Sequence, residues 1–406
     1  MPEPTGHLKG TRMNFGRQSA RRIVTAVLAL VLCALAAPAV TSAQDPFEID
    51  VLLSLTGPFA NLGNEEKRML DSMEPYVNKH GGIKGQPVHF VVYDDQSNSQ
   101  TAVQLTNTLI SKHVTAILGS DVGAECSAMG ALLTDGPVAF CISPTFTPKA
   151  GAYTFVNGID NFNQALGLFR FFNRRGWKRV AVVSSTDATG QGLDTRLADV
   201  MARKETQGMT VVATEHFNPG DINVDAVMSR VKAANPQAVV LWTVGTGFGT
   251  ALHSLQNVGV EVPVGTTSGN AGIDELKQFS SFMSDDMFIL GSQYLAPAGA
   301  DPRIKTQIQS FYDAMKPSGV TVDYLTGTAW DPAMILIDAY RKLGTNATAA
   351  QIHQWIESQR AYPGITGVHD FTDGSQRGLS VSSVMITRWN KKTASFSSAE
   401  GEKVSP

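Results

Sequence analysis

The sequence predicts an α/β protein of two lobes, each a mostly parallel sheet wrapped by helices. Three observations predict it: 406 residues exceed what one core usually serves, short β-branched runs alternate with helix-length segments, and the alternation starts afresh after Gly158. A composition of 43% hydrophobic and 17% charged residues is that of a globular chain. A net charge of -3 gives no footprint for nucleic acid or for an anionic membrane surface.

Residues 1–43 read as a signal peptide rather than as fold. Arg17, Arg21 and Arg22 precede an apolar run from Ile23 to Val40, and Thr41-Ser42-Ala43 supplies the small residues of a cleavage site. The competing reading is a membrane anchor, since the run is long enough to span a bilayer. Leu32 stands where a lipoprotein site before Cys33 takes a small residue, which argues against a lipid anchor. Met13 is an alternative start, and Arg21-Arg22 permits a twin-arginine signal whose flanks fit poorly. The mature chain is expected in the periplasm. Its two remaining cysteines, Cys126 and Cys141, can pair in an oxidising compartment or remain as two buried thiols, and the second reading is adopted.

The first lobe opens with a βαβ unit. Strand Ile49–Leu55 leads into the crest Thr56-Gly57-Pro58-Phe59-Ala60-Asn61-Leu62-Gly63, then a helix to Asn78, a glycine turn, and strand Val88–Tyr93 ending on Asp94-Asp95. Helix Ala102–Ser111, strand Thr115–Leu118, helix Glu125–Thr134 and strand Val138–Ile142 continue it. After Gly158, helices Asn163–Arg174, Gly192–Thr206, Val224–Ala233 and Gly249–Asn257 alternate with strands Val180–Ser184, Val211–Glu215, Ala238–Trp242 and Val262–Gly265. Ile289–Tyr294 reads as a return crossing. Helices Arg303–Met315, Gly327–Leu343 and Ala349–Gln359 rejoin the first lobe, and hairpin-like strands Gly367–Phe371 and Ser380–Trp389 go mostly to the second.

Three motifs in order carry a family resemblance: Leu55-Thr56-Gly57-Pro58-Phe59-Ala60, Asn78-Lys79-His80-Gly81-Gly82-Ile83-Lys84-Gly85, and Tyr93-Asp94-Asp95. Together they resemble the leucine/isoleucine/valine-binding family of periplasmic solute receptors, and the likeness runs on through Ile142-Ser143-Pro144 and the helix around Trp330. The resemblance implies the type I periplasmic binding protein fold, two Rossmann-like lobes joined by a three-strand hinge. The expected lobes are 44–157 plus 292–365 and 158–291 plus 366–406. Well-known members carry a cystine beginning just after Tyr-Asp-Asp, where this chain has Gln96, Ser97 and Asn98, so that bond is absent.

Enzymatic constellations are missing from the sequence. It contains no His-Glu-x-x-His, Cys-x-x-Cys, Walker sequence or Gly-x-Ser-x-Gly elbow. Gly245-Thr246-Gly247-Phe248-Gly249-Thr250 resembles a dinucleotide fingerprint, but Thr250 takes the third glycine position and the acidic residue about twenty positions on is missing. The chain is therefore read as a binder without catalysis, metal or cofactor.

In open sheets ligands sit beyond the carboxyl ends of the strands, so the candidate ligand-binding residues are Phe59, Leu62, Ser120, Gly123, Thr145, Phe146 and Thr147 in the first lobe. Thr189, Gln191, Thr246, Phe248 and Ser268 in the second lobe, with Tyr294 and Trp330, complete the set. The resemblance assigns Thr145 and Thr147 to a ligand carboxylate, with Gly123 standing where a serine is usual. Where amino-acid-binding members place an acid for the α-ammonium, this chain has Thr189, Thr246 and Thr267 or Ser268. A desolvated ammonium without counter-charge is costly. The expected cargo is therefore a small carboxylate without an amino group, and Phe59, Phe146, Phe248, Tyr294 and Trp330 suggest an aromatic acid such as a benzoate or cinnamate. Its partner would be an ABC permease, and the receptor a monomer. The alternatives are an amino-acid receptor in which Asp187 or Asp121 meets the ammonium, and a ligand-sensing domain with a separate signalling partner.

Overall fold

Two large sheets and one two-stranded hairpin divide the strands of a computed structural model that describes residues 1–7, 10 and 45–399. The leader motifs from Arg17 to Ala43, with Met13 and Cys33 around them, lie outside the described residues, and residues 1–7 and 10 carry no regular secondary structure. Among the described residues no helix is long and apolar enough to cross a membrane.

The first half runs β1 (Phe47–Leu53), α1 (Ala60–Lys79), β2 (Val88–Asp94), α2 (Ser99–Ser111), β3 (Ala116–Leu118), α3 (Gly123–Gly130), β4 (Val138–Cys141) and β5 (Thr154–Val156). Its strands form one parallel sheet in the order β2-β1-β3-β4-β5. Strands covered on both faces must be apolar throughout; β3 and β4 are buried along their whole length. On the other side of the contact, α1 brings Met69, Leu70, Met73 and Val77 to the same core as Ile49, Val51 and Leu53 of β1.

The second half runs α4 (Asn161–Arg174), β6 (Arg179–Ser185), α5 (Ala188–Met201), β7 (Thr210–Phe217), α6 (Asp225–Ala233), β8 (Ala238–Trp242), α7 (Thr246–Asn257), β9 (Val264–Thr266), α8 (Ile273–Phe279) and β10 (Met287–Gly291). Then come α9 (Lys305–Met315), α10 (Tyr324–Gly327), α11 (Trp330–Leu343), α12 (Ala349–Glu357), β11 (Tyr362–Pro363), β12 (Val368–His369), β13 (Met385–Asn390) and β14 (Ser395–Ser398). The second sheet is ordered β14-β13-β10-β9-β8-β6-β7, parallel except where β13 pairs antiparallel with β10 and β14. Helices α9, α10 and α11 pack on α1, and α11 and α12 on β4.

The path therefore passes between the halves three times, after β5, after β10 and after β12. The first and third passages lie side by side: Val156 N–H donates to the Gln376 carbonyl, and Arg377 Nη1 donates to the Gly158 carbonyl at 2.9 Å.

Several expectations are corrected. Ile289–Tyr294 is not a crossing strand: β10 ends at Gly291 as a full member of the second sheet, and the crossing is the irregular segment that follows. The hairpin of β11 and β12 stays with the first half, where Asp331 of α11 accepts the Ile365 and Thr366 amides. Cys126 and Cys141 are not free thiols. They form a disulfide between α3 and β4, with Cα atoms 6.1 Å apart.

Candidate functional site

In both large sheets the next strands of the chain lie on opposite sides of the first, β2 and β3 flanking β1 and β7 and β8 flanking β6, and ligands bind outside the carboxyl ends at such switch points. Each switch point is built alike. Ser54 follows β1 directly and Ser185 ends β6, and a glycine in the first turn of the next helix, Gly63 or Gly190, presses against that serine's carbonyl oxygen, where a Cβ would overlap it. Glycine lets helix and strand approach this closely, which keeps the turn low and its rim open.

On the first rim, Asp94 accepts the amides of Leu55, Thr56 and Gln96 through Oδ1 and the Thr56 hydroxyl through Oδ2 at 2.7 Å. Burial pushes its carboxyl up, and these hydrogen bonds outweigh that and hold it below the usual range. Beneath lies a buried acidic cluster. Ser54 Oγ donates to Asp95 Oδ1 and Asp121 Oδ1 at 2.8 and 3.0 Å, Ser120 Oγ donates to Asp95 Oδ2 at 2.6 Å, and Thr328 Oγ1 donates to Glu66 Oε1 at 2.9 Å. Burial and Asp95 push Asp121 up to about 6, and burial with Asp121 pushes Glu66 well above its ordinary value. Glu66 Oε2 and Asp121 Oδ2 have no hydrogen-bond partner. Among the described residues no group of three or more His, Cys, Asp or Glu is arranged to hold a metal ion.

The second rim offers hydroxyls and amides. Asp187 is spent as the N-cap of α5, accepting from Thr189 N, Gly190 N and Ser185 Oγ. Gln191 Nε2 donates to the Thr186 carbonyl. Ser268 Oγ donates to Gln164 Oε1 at 3.0 Å, and Ser268 lines a small pocket together with Tyr324. Since Tyr324 N–H also donates to the Ala271 carbonyl, α10 is the point where the first half touches the second rim.

Of the residues singled out by sequence, the structure leaves Phe59, Leu62, Gly123, Thr145, Thr147, Thr189, Gln191 and Thr246 at least partly exposed on the two rims. Gly123 is there because Thr145 leaves no room for a side chain: a Cβ would overlap Thr145 Oγ1. Others are corrected. Phe248 is fully buried against Phe279 in the second half. Tyr294 is fully buried with its hydroxyl on the Tyr324 carbonyl, and Trp330 packs edge-on against Phe311. Phe146 packs over Cys126, Cys141 and Val156. Ser120 is buried within the acidic cluster, and Ser268 is nearly so beneath Tyr324. The aromatics were read as pocket residues because they sit at strand ends or beside polar loops, a pattern that core packing shares.

A cavity of about 670 Å³ opens between the halves. Thr145 and Thr147 line it from the first rim, Thr195, Arg196 and Arg203 from α5 and its end, and Arg377 from the third crossing. No local pattern in the sequence singles out Arg196, Arg203 or Arg377, because their meeting at one cavity depends on how α5 and the third crossing pack. A larger groove of about 830 Å³ lies between α1 and α9, away from both rims, and none of the sequence-singled residues lines it.

A family model described as periplasmic binding protein matches residues 46–394. The chain is 22% identical over 366 residues to "Leu/Ile/Val-binding protein homolog 3" of Brucella melitensis, covering 86% of this chain and 93% of that one. It is 24% identical over 286 residues to a leucine-, isoleucine-, valine-, threonine- and alanine-binding protein of Pseudomonas aeruginosa, covering 69% and 75%. Its fold is similar to that of an extracellular ligand-binding receptor from Rhodopseudomonas palustris HaA2, with TM-score 0.72 at 19% identity over 88% of this chain and all of that one. A branched-chain amino acid transporter substrate-binding protein of Streptococcus pneumoniae, in complex with isoleucine, gives 0.70 at 17% identity over 87% and 99%.

Proposed function

We propose, from the premise that the chain belongs to the periplasmic binding protein family, that it is the solute receptor of an ABC importer and closes two lobes on a small carboxylate. The lobes are the two sheets with their helices, and the cargo lies between their rims. The observation that carries the cargo assignment is the state of the second rim: its acid, Asp187, has Oδ1 engaged as the cap of α5 by Thr189 N, Gly190 N and Ser185 Oγ, and the partly exposed residues beside it are hydroxyl-bearing Thr189 and Thr246. Thr145, Thr147, Thr189 and Thr246 supply hydroxyls that hold and orient a carboxylate without covalent chemistry. With four of the five expected aromatics committed to packing, the cargo need not be aromatic; benzoates and short aliphatic acids are both candidates.

Binding drives closure through differential affinity, because a ligand touches both rims only when they meet. An exported, periplasmic chain with a permease at the inner membrane fits this role, and the leader read at residues 1–43 would direct it there.

A second reading, an amino-acid receptor, is favoured by the printed names of the relatives and by Asp121, whose Oδ2 has no partner. Thermal-shift screening of the purified protein against benzoates, cinnamates, aliphatic carboxylates and branched-chain amino acids separates the two. The first reading expects stabilisation by an acid lacking an amino group. Stabilisation by leucine or isoleucine alone replaces it with the second.

A further inference from the structure

The cavity between the halves has a chemical bias that the rims do not share. Arg377 is 6% exposed, and a guanidinium so desolvated ordinarily sits on a carboxylate. Here its two terminal nitrogens donate to carbonyls, Nη1 to Gly158 at 2.9 Å and Nη2 to Phe146 at 2.7 Å. Those carbonyls bring partial charges only. The nearest acid, Asp160, is 3.9 Å from Nε, beyond hydrogen-bonding distance, and already accepts the Asn163 amide and side chain at 2.8 and 2.9 Å as the cap of α4. A guanidinium has five N–H donors, so capacity remains on a charge that faces the cavity, whose ion pair with Asp160 is long, in a lining where Arg196, Arg203 and Arg377 accompany Asp160 and Asp199. Further along the same cavity Arg203 lies over the Phe162 ring at 4.9 Å, and Arg196 reaches Asp199 only at 3.9 Å.

We propose that this cavity receives the anionic group of the cargo and that Arg377 is its counter-charge, with Thr145 and Thr147, on either side of the Phe146 carbonyl that Arg377 holds, as hydroxyl donors. The assignment rests on the solute-receptor reading and narrows it: the cargo must enter as an anion, and a neutral solute of the same shape is rejected. It also gives the third crossing a part in closure. Arg377 stands on that crossing, Gly158 on the first, and Phe146 on the first rim, so an anion held there touches the connection as well as the walls.

The test takes the carboxylate that binds tightest in the screen and compares it with its primary amide by calorimetry on the full-length mature protein. The amide is expected to bind about 30-fold more weakly or worse, the usual consequence of leaving a desolvated charge unpaired. Arg377→Met is expected to lose acid binding to a similar degree and Arg377→Lys to keep part of it, while amide binding changes little. Because Arg377 also secures two carbonyls, its variants are first checked for an unchanged circular dichroism spectrum. If they do not fold, wild type and Thr147→Val, each titrated with acid and amide, decide. Acid and amide within threefold of each other on the wild-type protein overturn the proposal and leave the receptor reading standing. Failure of every carboxylate in the screen overturns both.

Discussion

At the scale of single residues, Asp121 makes the fold sensitive to pH. Burial and the neighbouring Asp95 raise it from 3.8 to about 6, so the folded protein holds this proton more firmly than the unfolded chain does. Its stabilising contribution is complete below about pH 4 and is lost as pH rises through 6. Carboxyls held low, such as Asp94, act in the opposite sense and only below about pH 4. The melting temperature is therefore expected to rise as pH is lowered from 7.5 to 5. Asp121→Asn should raise it at pH 7.5, by about 1–3 kcal/mol of stability, and flatten most of that slope. A slope between pH 7.5 and 5 that is unchanged in the variant would sink this account. The sequence made Asp121 visible as a loop acid, but not its burial, since that depends on Ser54, Asp95 and Glu66 arriving from three other segments.

At the scale of elements, two devices set the rims. The disulfide closes a loop of 15 residues and ties α3 to β4 beneath Thr145. The double variant Cys126→Ala, Cys141→Ala is expected to lose about 3 kcal/mol on chain-entropy grounds, read from urea denaturation. An unchanged midpoint would show that the bond contributes nothing. The other device is the glycine under each switch point. Gly190→Ala puts a methyl into the Ser185 carbonyl and is expected to cost more than 2 kcal/mol, whereas Gly208→Ala, with open space at a positive φ, is expected to cost only its local strain. Equal losses from the two would contradict the role assigned to Gly190. Long periodic segments such as α1 and the apolar runs β6 and β8 were readable because they bury continuous apolar surface. Short pieces escaped: α8 spans seven residues and α10 four, too few for periodicity to register, and β14 is a half-exposed edge strand.

At the scale of the molecule, the two-lobe architecture was legible because parallel strands must be crossed over by helices, which leaves a long alternating signature. The cleft chemistry was legible only in its hydroxyls. Which strand-end aromatics turn inward is a question of volume around Phe311, Phe279 and the disulfide, and no local pattern encodes it. A bound carboxylate is expected to lower the radius of gyration in X-ray scattering, because it stabilises the form in which both rims are engaged. Tyr324→Ala removes the side chain that lines a small pocket with Ser268 and is expected to shift the unliganded protein toward the more extended form. Identical scattering with and without ligand would show that binding requires no closure.

Three passages of chain between two rigid bodies leave them little freedom but to swing about one line. A single distance measured across the mouth then suffices to report the position of both. Exposed Asn61 and Ala188, replaced by cysteines, would take a donor and an acceptor dye without competition from Cys126 or Cys141, whose sulfurs are already joined. Labelled this way, the receptor becomes an optical gauge for its own cargo, usable before that cargo has been named.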